Sequence, residues 1–425
     1  MRKNLVIGVL MFLSAFAVKA QSENRELSTK KREKSLSLVF GVCPTADILE
    51  LELKEDYLEI EYLCGGVYYE MGIRNEVVMY IETRANENTV PYDKIRKKLE
   101  KDHADWLLDE VSEIFTSDTS FLKVEVIKDG LEQNLFFTTD GKWYKPTSLA
   151  VSDHWSREDL EKSGFYENAP YNYSRPDKIY ELPSLLIEIS GHTLSDEKTV
   201  LCVQDELGAV FEYDLDKGEI KNIFRFTDIG DFEAITAKEN QVYVLRSDGT
   251  IFSFDYKNRK SIETVILPIN ALNFESLTYD KSSGKFLVVS KDALLNDPES
   301  SRVIYEIAND AFSKPSVYKK IDVHGLNQFI NAKLEDGKSK SLMFNPSDIA
   351  IHPITKDIYV LSASDRVLAV YDKNGLKDVY PLPAEVYFKP EGITFYENGD
   401  MLISSEGDKK GIIGGSLMLL KNKIQ

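Results

Sequence analysis

Five short segments in the C-terminal half place an acidic residue just before an aliphatic one. They are Glu188-Ile189-Ser190-Gly191, Phe232-Glu233-Ala234-Ile235, Phe274-Glu275-Ser276-Leu277, Pro346-Ser347-Asp348-Ile349 and Pro390-Glu391-Gly392-Ile393. Glu233, Glu275 and Glu391 stand two residues before the aliphatic position, whereas Glu188 and Asp348 stand one before it. On a regular strand that offset turns the side chain to the other face, unless the entry to the strand is irregular. Further acidic residues, Asp205, Asp248, Asp292, Asp365 and Glu406, close the next apolar run of each repeat, with Gln204 beside the first. Carboxylates that converge repel one another and must take up protons or a cation. Calcium suits such a set because it accepts six to eight oxygen ligands in flexible geometry. The residues read as metal ligands are Glu233, Glu275, Glu391, Asp205, Asp348 and Glu188; those read as ligand-binding are Asp248, Asp365, Glu406 and Gln204. A second reading stays open, in which each acid bonds backbone amides of the neighbouring repeat and fixes its register.

Other chemistry is thinly represented. There is no Gly-x-Ser-x-Gly elbow, no phosphate-binding glycine loop and no Cys/His pair at a recognisable spacing. The five histidines (His103, His154, His192, His324 and His352) are scattered, with no metal-type pair among them. His192 and His324 are the two that could act as bases near the acidic residues. Asp214-Leu215-Asp216-Lys217-Gly218 lacks the terminal Glu of an EF-hand loop and reads as a turn.

The spacing of the repeat dictates the elements that carry these residues. Aligned on Ile189, Ile235, Leu277, Ile349 and Ile393, the intervals by residue number are 46, 42, 72 and 44. A four-stranded propeller blade takes about 40 to 45 residues, so three intervals are one blade each. The long interval holds four strands between Phe274 and Asp322, then a polar loop from Val323 to Asn345. Five blades result, or six if that insertion hides an irregular one. The last repeat has only three strands, and Lys178 to Leu182 is the simplest fourth, closing the ring and leaving no long exposed edge.

Ahead of the all-β propeller (177–425) the pattern is that of a small α+β domain at 37–147. Period-two strands run over Ile48–Leu53 and Tyr57–Tyr62, and Val77–Ile81 is another. Helical spacing runs from Pro91 through Ile95, Leu99, Trp106, Val111 and Ile114. A hairpin follows, Phe121–Ile127 and Leu131–Thr138. Residues 21–36 read as a polar tether and 148–176 as a tyrosine-rich linker.

Residues 1–20 have the form of a signal peptide: Arg2 and Lys3, an apolar run from Leu5 to Val18, and Val18-Lys19-Ala20 at the cleavage position. Export to the periplasm, the cell envelope or beyond is therefore expected, with no membrane span after cleavage. An oxidising compartment permits a Cys43–Cys64 disulfide, while Cys202 lies within an apolar run and reads as a buried small hydrophobe. With 70 acidic against 52 basic side chains the net charge is −18, which disfavours nucleic acid and anionic membranes. It suits a cation or a neutral or basic ligand.

Glu188-Ile-Ser-Gly, Gln204-Asp205-Glu206, Gly230-Asp231-Phe-Glu-Ala-Ile, Val244-Leu-Arg-Ser-Asp-Gly, Pro346-Ser-Asp-Ile-Ala-Ile-His-Pro and Pro390-Glu-Gly-Ile-Thr-Phe occur in order. On these motifs residues 179–425 resemble the SdiA-regulated propeller family, which implies exported or envelope-associated propellers, with calcium in some members. Through Asp-Phe-Glu-x-Ile they also resemble, distantly, phytase-like esterase and lactonase propellers. Residues 37–145, ending in Leu135-x-Phe-Thr-Thr-Asp-Gly-Lys-Trp-Tyr144, are similar to PepSY-like, β-lactamase-inhibitor-like domains, which implies protein contacts or inhibition. The combined expectation is an exported binding protein, with a small-molecule or protein ligand at the channel mouth and a protein partner for the N-terminal domain. The alternative is a calcium-dependent phosphoesterase or lactonase.

Overall fold

The computed structural model describes residues 29–423, except 55–56, 75, 87, 103–105, 118, 129–130, 145–154, 260, 272, 292–300, 309–310 and 335–338. The expected signal peptide, Asp292, His103 and His154 lie outside the described residues. The described residues divide into two compact units, an N-terminal one drawn mainly from residues 29–144 and a C-terminal one drawn mainly from residues 155–423.

The N-terminal unit is built on α1 (Thr29–Val42) and a seven-stranded sheet in sequence order. The strands are β1 (Asp47–Leu53), β2 (Leu58–Cys64), β3 (Val67–Arg74), β4 (Val77–Arg84), β5 (Leu107–Phe115), β6 (Ser120–Lys128) and β7 (Leu131–Thr138). Alternation in β2 turns Leu58, Ile60 and Tyr62 to one face, where they pack with Met71, Ile73 and, from α1, Val39. The segment expected as a tether is thus helical from Thr29, with Val39 fully buried. Cys43, just after α1, is joined to Cys64 at the end of β2.

The helix expected from Pro91 to Ile114 stops early. α2 covers Tyr92–Asp102, and Leu107–Phe115 forms β5 instead, paired antiparallel to β4 through Ile81↔Phe115 and Thr83↔Glu113. Leu107, Val111 and Ile114 fit a helical stripe by spacing, but the open edge of β4 offers ladder hydrogen bonds that an isolated second half of the helix would lack.

The C-terminal unit is a propeller of five four-stranded blades. Blade 1 is β9 (Ile189–Leu194), β10 (Thr199–Gln204), β11 (Ala209–Asp214) and β12 (Glu219–Arg225). Blade 2 is β13 (Phe232–Lys238), β14 (Gln241–Arg246), β15 (Thr250–Asp255) and β16 (Glu263–Ile266). Blade 3 is β17 (Phe274–Asp280), β18 (Lys285–Ser290), β19 (Ser301–Ile307) and β20 (Pro315–Asp322). Blade 4 is β21 (Asp348–Ile351), β22 (Ile358–Ser362), β23 (Val367–Asp372) and β24 (Gly375–Pro381).

Blade 5 is β25 (Lys389–Phe395), β26 (Met401–Glu406) and β27 (Ser416–Leu420), completed by β8 (Lys178–Glu181) from the start of the unit. β8 pairs antiparallel with β27, Leu417 opposite Tyr180, so the two ends of the unit close one blade as expected. The first strands of the blades are neighbours around the ring.

Two segments expected as loose are packed. Trp155, Leu160, Phe165, Tyr171 and Tyr173, from the expected linker, are buried against blades 4 and 5, with α3 (Arg157–Lys162) among them. Trp155 Nε1 donates to the Asp365 carbonyl at 2.9 Å, and the Tyr166 and Tyr171 hydroxyls donate to the carbonyls of Pro381 and Gly399, each at 2.6 Å. The stretch reads as polar because its aromatic side chains carry hydroxyls, yet the rings bury. Within the expected polar loop after β20, α4 (Val323–Asn331) buries Val323, Leu326 and Ile330 on one side. Among the described residues no helix is long and apolar enough to cross a membrane.

Candidate functional site

The start of each inner strand lies beside the end of the second strand, as in Phe232↔Arg246 and Lys389↔Glu406. The acidic residues of the repeat gather at that end of the ring. Glu233, Glu275 and Glu391 do so for a specific backbone reason. Pairing jumps from Phe232 to Ala234, from Phe274 to Ser276 and from Pro390 to Gly392, so each Glu is the extra residue of a β-bulge. A bulge re-aims the side chain it carries, and three blades repeat it at the same residue.

Blade 1 has its bulge at Ser190, between the pairs Gln204↔Ile189 and Val203↔Gly191. The counterpart of Ile235 is therefore His192 and not Ile189, and His192 to Ile235 spans 43 residues rather than 46. Glu188 corresponds to Asp231, at the mouth above the bulge. Matching backbone bonds support this: Asp205 N donates to Glu188 O as Ser247 N does to Asp231 O.

Blade 4 has no such bulge in its ladder, and Asp348 points inward between blades. Its Oδ1 accepts from Ser276 Oγ of blade 3 at 2.5 Å and from Ile349 N at 2.8 Å, and its Oδ2 accepts from Ile393 N of blade 5 at 2.8 Å. Asp348 thus ties three blades together.

The remaining candidates also have protein partners. Gln204 Oε1 accepts from Glu206 N at 2.7 Å and Leu207 N at 2.5 Å, closing the turn after β10. Asp248 pairs with the Arg246 guanidinium at 2.7 Å and accepts from Thr250 N. Asp365 Oδ2 accepts from Phe344 N at 2.8 Å and Ser362 Oγ at 3.0 Å.

Three lysines that the repeat did not single out reach into the mouth. Lys291 lies 3.2 Å from Glu275; Lys389 bridges Glu391 (3.1 Å) and Glu406 (2.8 Å); Lys409, from the loop after β26, bridges Glu188 (2.6 Å) and Glu206 (3.0 Å). Lys291 was legible, since it occupies the place after the second strand that Asp205 holds in blade 1. Lys409 was not, because its loop is shaped by Asp408, whose carboxylate accepts from the Lys410, Ile412 and Ile413 amides. Blade 2 carries Asp231 and Ser247 where blades 5 and 3 carry Lys389 and Lys291, so Glu233 faces Glu275 and Glu391 without an ammonium of its own blade.

The electrostatic result is a set of carboxyls that resist ionisation. Burial, then the charges of Glu275, Asp231 and Glu391, push Glu233 up to about 10. Burial raises Glu275 to about 7 against the pull of Lys291, and burial with Glu188 raises Asp205 to about 7. Glu406 is held well above the ordinary carboxylate range by burial and by Glu391. Burial works against the ammonium of Lys291 and Lys409, but the surrounding carboxylates outweigh it and hold both above the usual lysine value.

Among the described residues one group has the close spacing of a cation site. Glu188, Asp205 and Glu206 each bring a carboxylate oxygen within 4.8 Å of the others. Glu206 was not among the expected ligands, though it adjoins Asp205. The Oδ1 of Asp205 is sealed from solvent and has no hydrogen-bond partner in the protein.

A closed five-bladed propeller with an acidic, lysine-studded mouth is the class of protein that fold and site define. The chain belongs to the SdiA-regulated family, whose model matches residues 178–409. Among curated proteins none matches the chain. Solved structures similar to parts of it include a luciferin-regenerating enzyme (13% identity, 59% of this chain and 96% of that one, TM-score 0.39). Others are the glutaminyl cyclase of Myxococcus xanthus (12%, 58% and 95%, TM-score 0.38) and a BLIP-like protein of Bacteroides fragilis (20%, 29% and 91%, TM-score 0.23). At these scores the likenesses carry no argument about function.

Proposed function

We propose that the protein is an exported binding protein whose acidic propeller mouth takes a cation, calcium foremost, as part of capturing its ligand. The observation that carries this reading is the convergence of Glu188, Asp205 and Glu206, with one Asp205 oxygen buried and unpartnered. An all-oxygen set of carboxyl donors, which a bound cation would hold ionised, matches a hard cation that tolerates irregular geometry. Asp348 is committed to blade contacts through both oxygens, which accept from three protein donors, so the cation reading rests on the other acids. Glu233, Glu275 and Glu391 line the same end of the ring, the last two already paired with Lys291 and Lys389. Lys409 stands on Glu188 and Glu206 and must yield to an incoming cation. Export is supported by the signal-like first twenty residues and by the Cys43–Cys64 bridge. The N-terminal unit is the part proposed to meet a protein partner.

Thermal unfolding of the mature protein, first in EDTA and then with calcium or magnesium, tests the cation site. Calcium at about a hundred times its Kd stabilises the native state by about 2.7 kcal/mol through linkage, and Asp205→Asn removes the effect. Identical transitions in EDTA, calcium and magnesium would refute the cation site.

A further inference from the structure

Of the three lysines at the mouth, two are tied to strands: Lys291 follows β18 directly and Lys389 opens β25. Lys409 stands instead on the loop between β26 and β27. Its Nζ lies 2.6 Å from Glu188 and 3.0 Å from Glu206, two of the three acids whose carboxylate oxygens gather within 4.8 Å. The ammonium therefore sits where an incoming cation would meet those two carboxylates.

The loop is built to deliver that ammonium. Gly407 N donates to Ile187 O at 2.7 Å, which anchors the loop beside Glu188 in the chain. A β-carbon on Gly407 would collide with the Ile413 carbonyl oxygen, so glycine is what lets the two ends of the loop close. Asp408 N donates to Ile413 O at 2.9 Å, and the Asp408 carboxylate accepts from the Lys410, Ile412 and Ile413 amides. Gly411 then turns the chain back at a φ of +73°. None of these bonds uses the Lys409 side chain, so the backbone keeps its shape when the ammonium leaves. That side chain is 60% exposed, and it can swing into water without breaking a packed contact.

We propose that Lys409 is a tethered counter-ion that occupies the cation site from within, so that a divalent ion enters only by expelling the ammonium. The inference rests on the cation reading above and adds the device that regulates it. A divalent ion brings twice the charge of the group it expels, which is what lets it win against a tethered competitor. An ammonium seated in about nine molecules out of ten lowers the apparent affinity for the ion about tenfold.

Two measurements on the full mature chain decide the matter. Calorimetric titration with calcium compares the wild type with Lys409→Met, which keeps an unbranched stem and removes the charge. The variant should bind calcium about tenfold more tightly. Labelling of the wild type with an amine-reactive reagent, read by mass spectrometry, follows the expulsion itself. Saturating calcium should raise modification of Lys409 by a similar factor of about ten and leave Lys291 and Lys389 unchanged. Equal calcium affinity in the two proteins, or calcium binding that leaves the labelling of Lys409 unchanged, overturns the tethered counter-ion while the cation site stands. Absence of calcium binding from both proteins overturns the cation site and this inference with it.

Discussion

Asp348→Ala should destabilise the propeller more than loss of any other mouth carboxylate. The substitution removes acceptors for Ser276 Oγ at 2.5 Å, Ile349 N at 2.8 Å and Ile393 N at 2.8 Å, and so cuts links between blades 3, 4 and 5. Ser276 and Ile393 are 0% and 3% exposed, so water cannot replace the lost partner without entering the seam. Stripping the acceptor from buried donors to a charged group costs about 3–5 kcal/mol. At about 2–4 °C per kcal/mol for a unit of this size, the midpoint should fall by roughly 6–20 °C.

Urea unfolding at pH 8, where the carboxylate is ionised, measures this directly, and Asp348→Asn, which keeps an acceptor for one donor, should lose less. Burial raises Asp348 to about 7. A carboxyl raised in the folded state binds protons there more tightly than in the unfolded chain. Its contribution is therefore greatest at low pH and is lost as pH rises from about 4 toward 7. Asp348→Asn should remove that decline. An alanine variant within about 1 kcal/mol of wild type would refute the role in blade registry.

Two further outcomes follow from burial. His192 is lowered by burial to about 4, so the unfolded chain takes up its proton first as pH falls, and stability is lost between about pH 6.5 and 4. His192→Ile should flatten that acid limb in calorimetry at pH 7 and 4.5, and an unchanged limb would count against it. Trp155, 3% exposed in what reads as a linker, should cost about 3–5 kcal/mol as Trp155→Ala, against nearly nothing for a loose tether.

The repeat of Glu233, Glu275 and Glu391 was visible because equal spacing in sequence becomes equal position in a ring, and the closing strand at Lys178 was visible because one blade lacked a fourth. In blade 1 the sequence motif stands three residues ahead of the structural one. Glu188-Ile189-Ser190-Gly191 imitates the motif, while the true counterpart of the aliphatic position is a histidine, which no apolar pattern detects. Helix and strand at 107–115 could not be separated by periodicity, since the edge of β4 supplied the deciding hydrogen bonds. The order of the propeller strands and the end of the ring at which charge gathers were thus properties of the sequence by itself. Which carboxylate meets Lys291, Lys389, Lys409, a backbone amide or no partner was decided only by the tertiary structure. Those partners come from different blades and loops, and local pattern carries no information about distances across a ring.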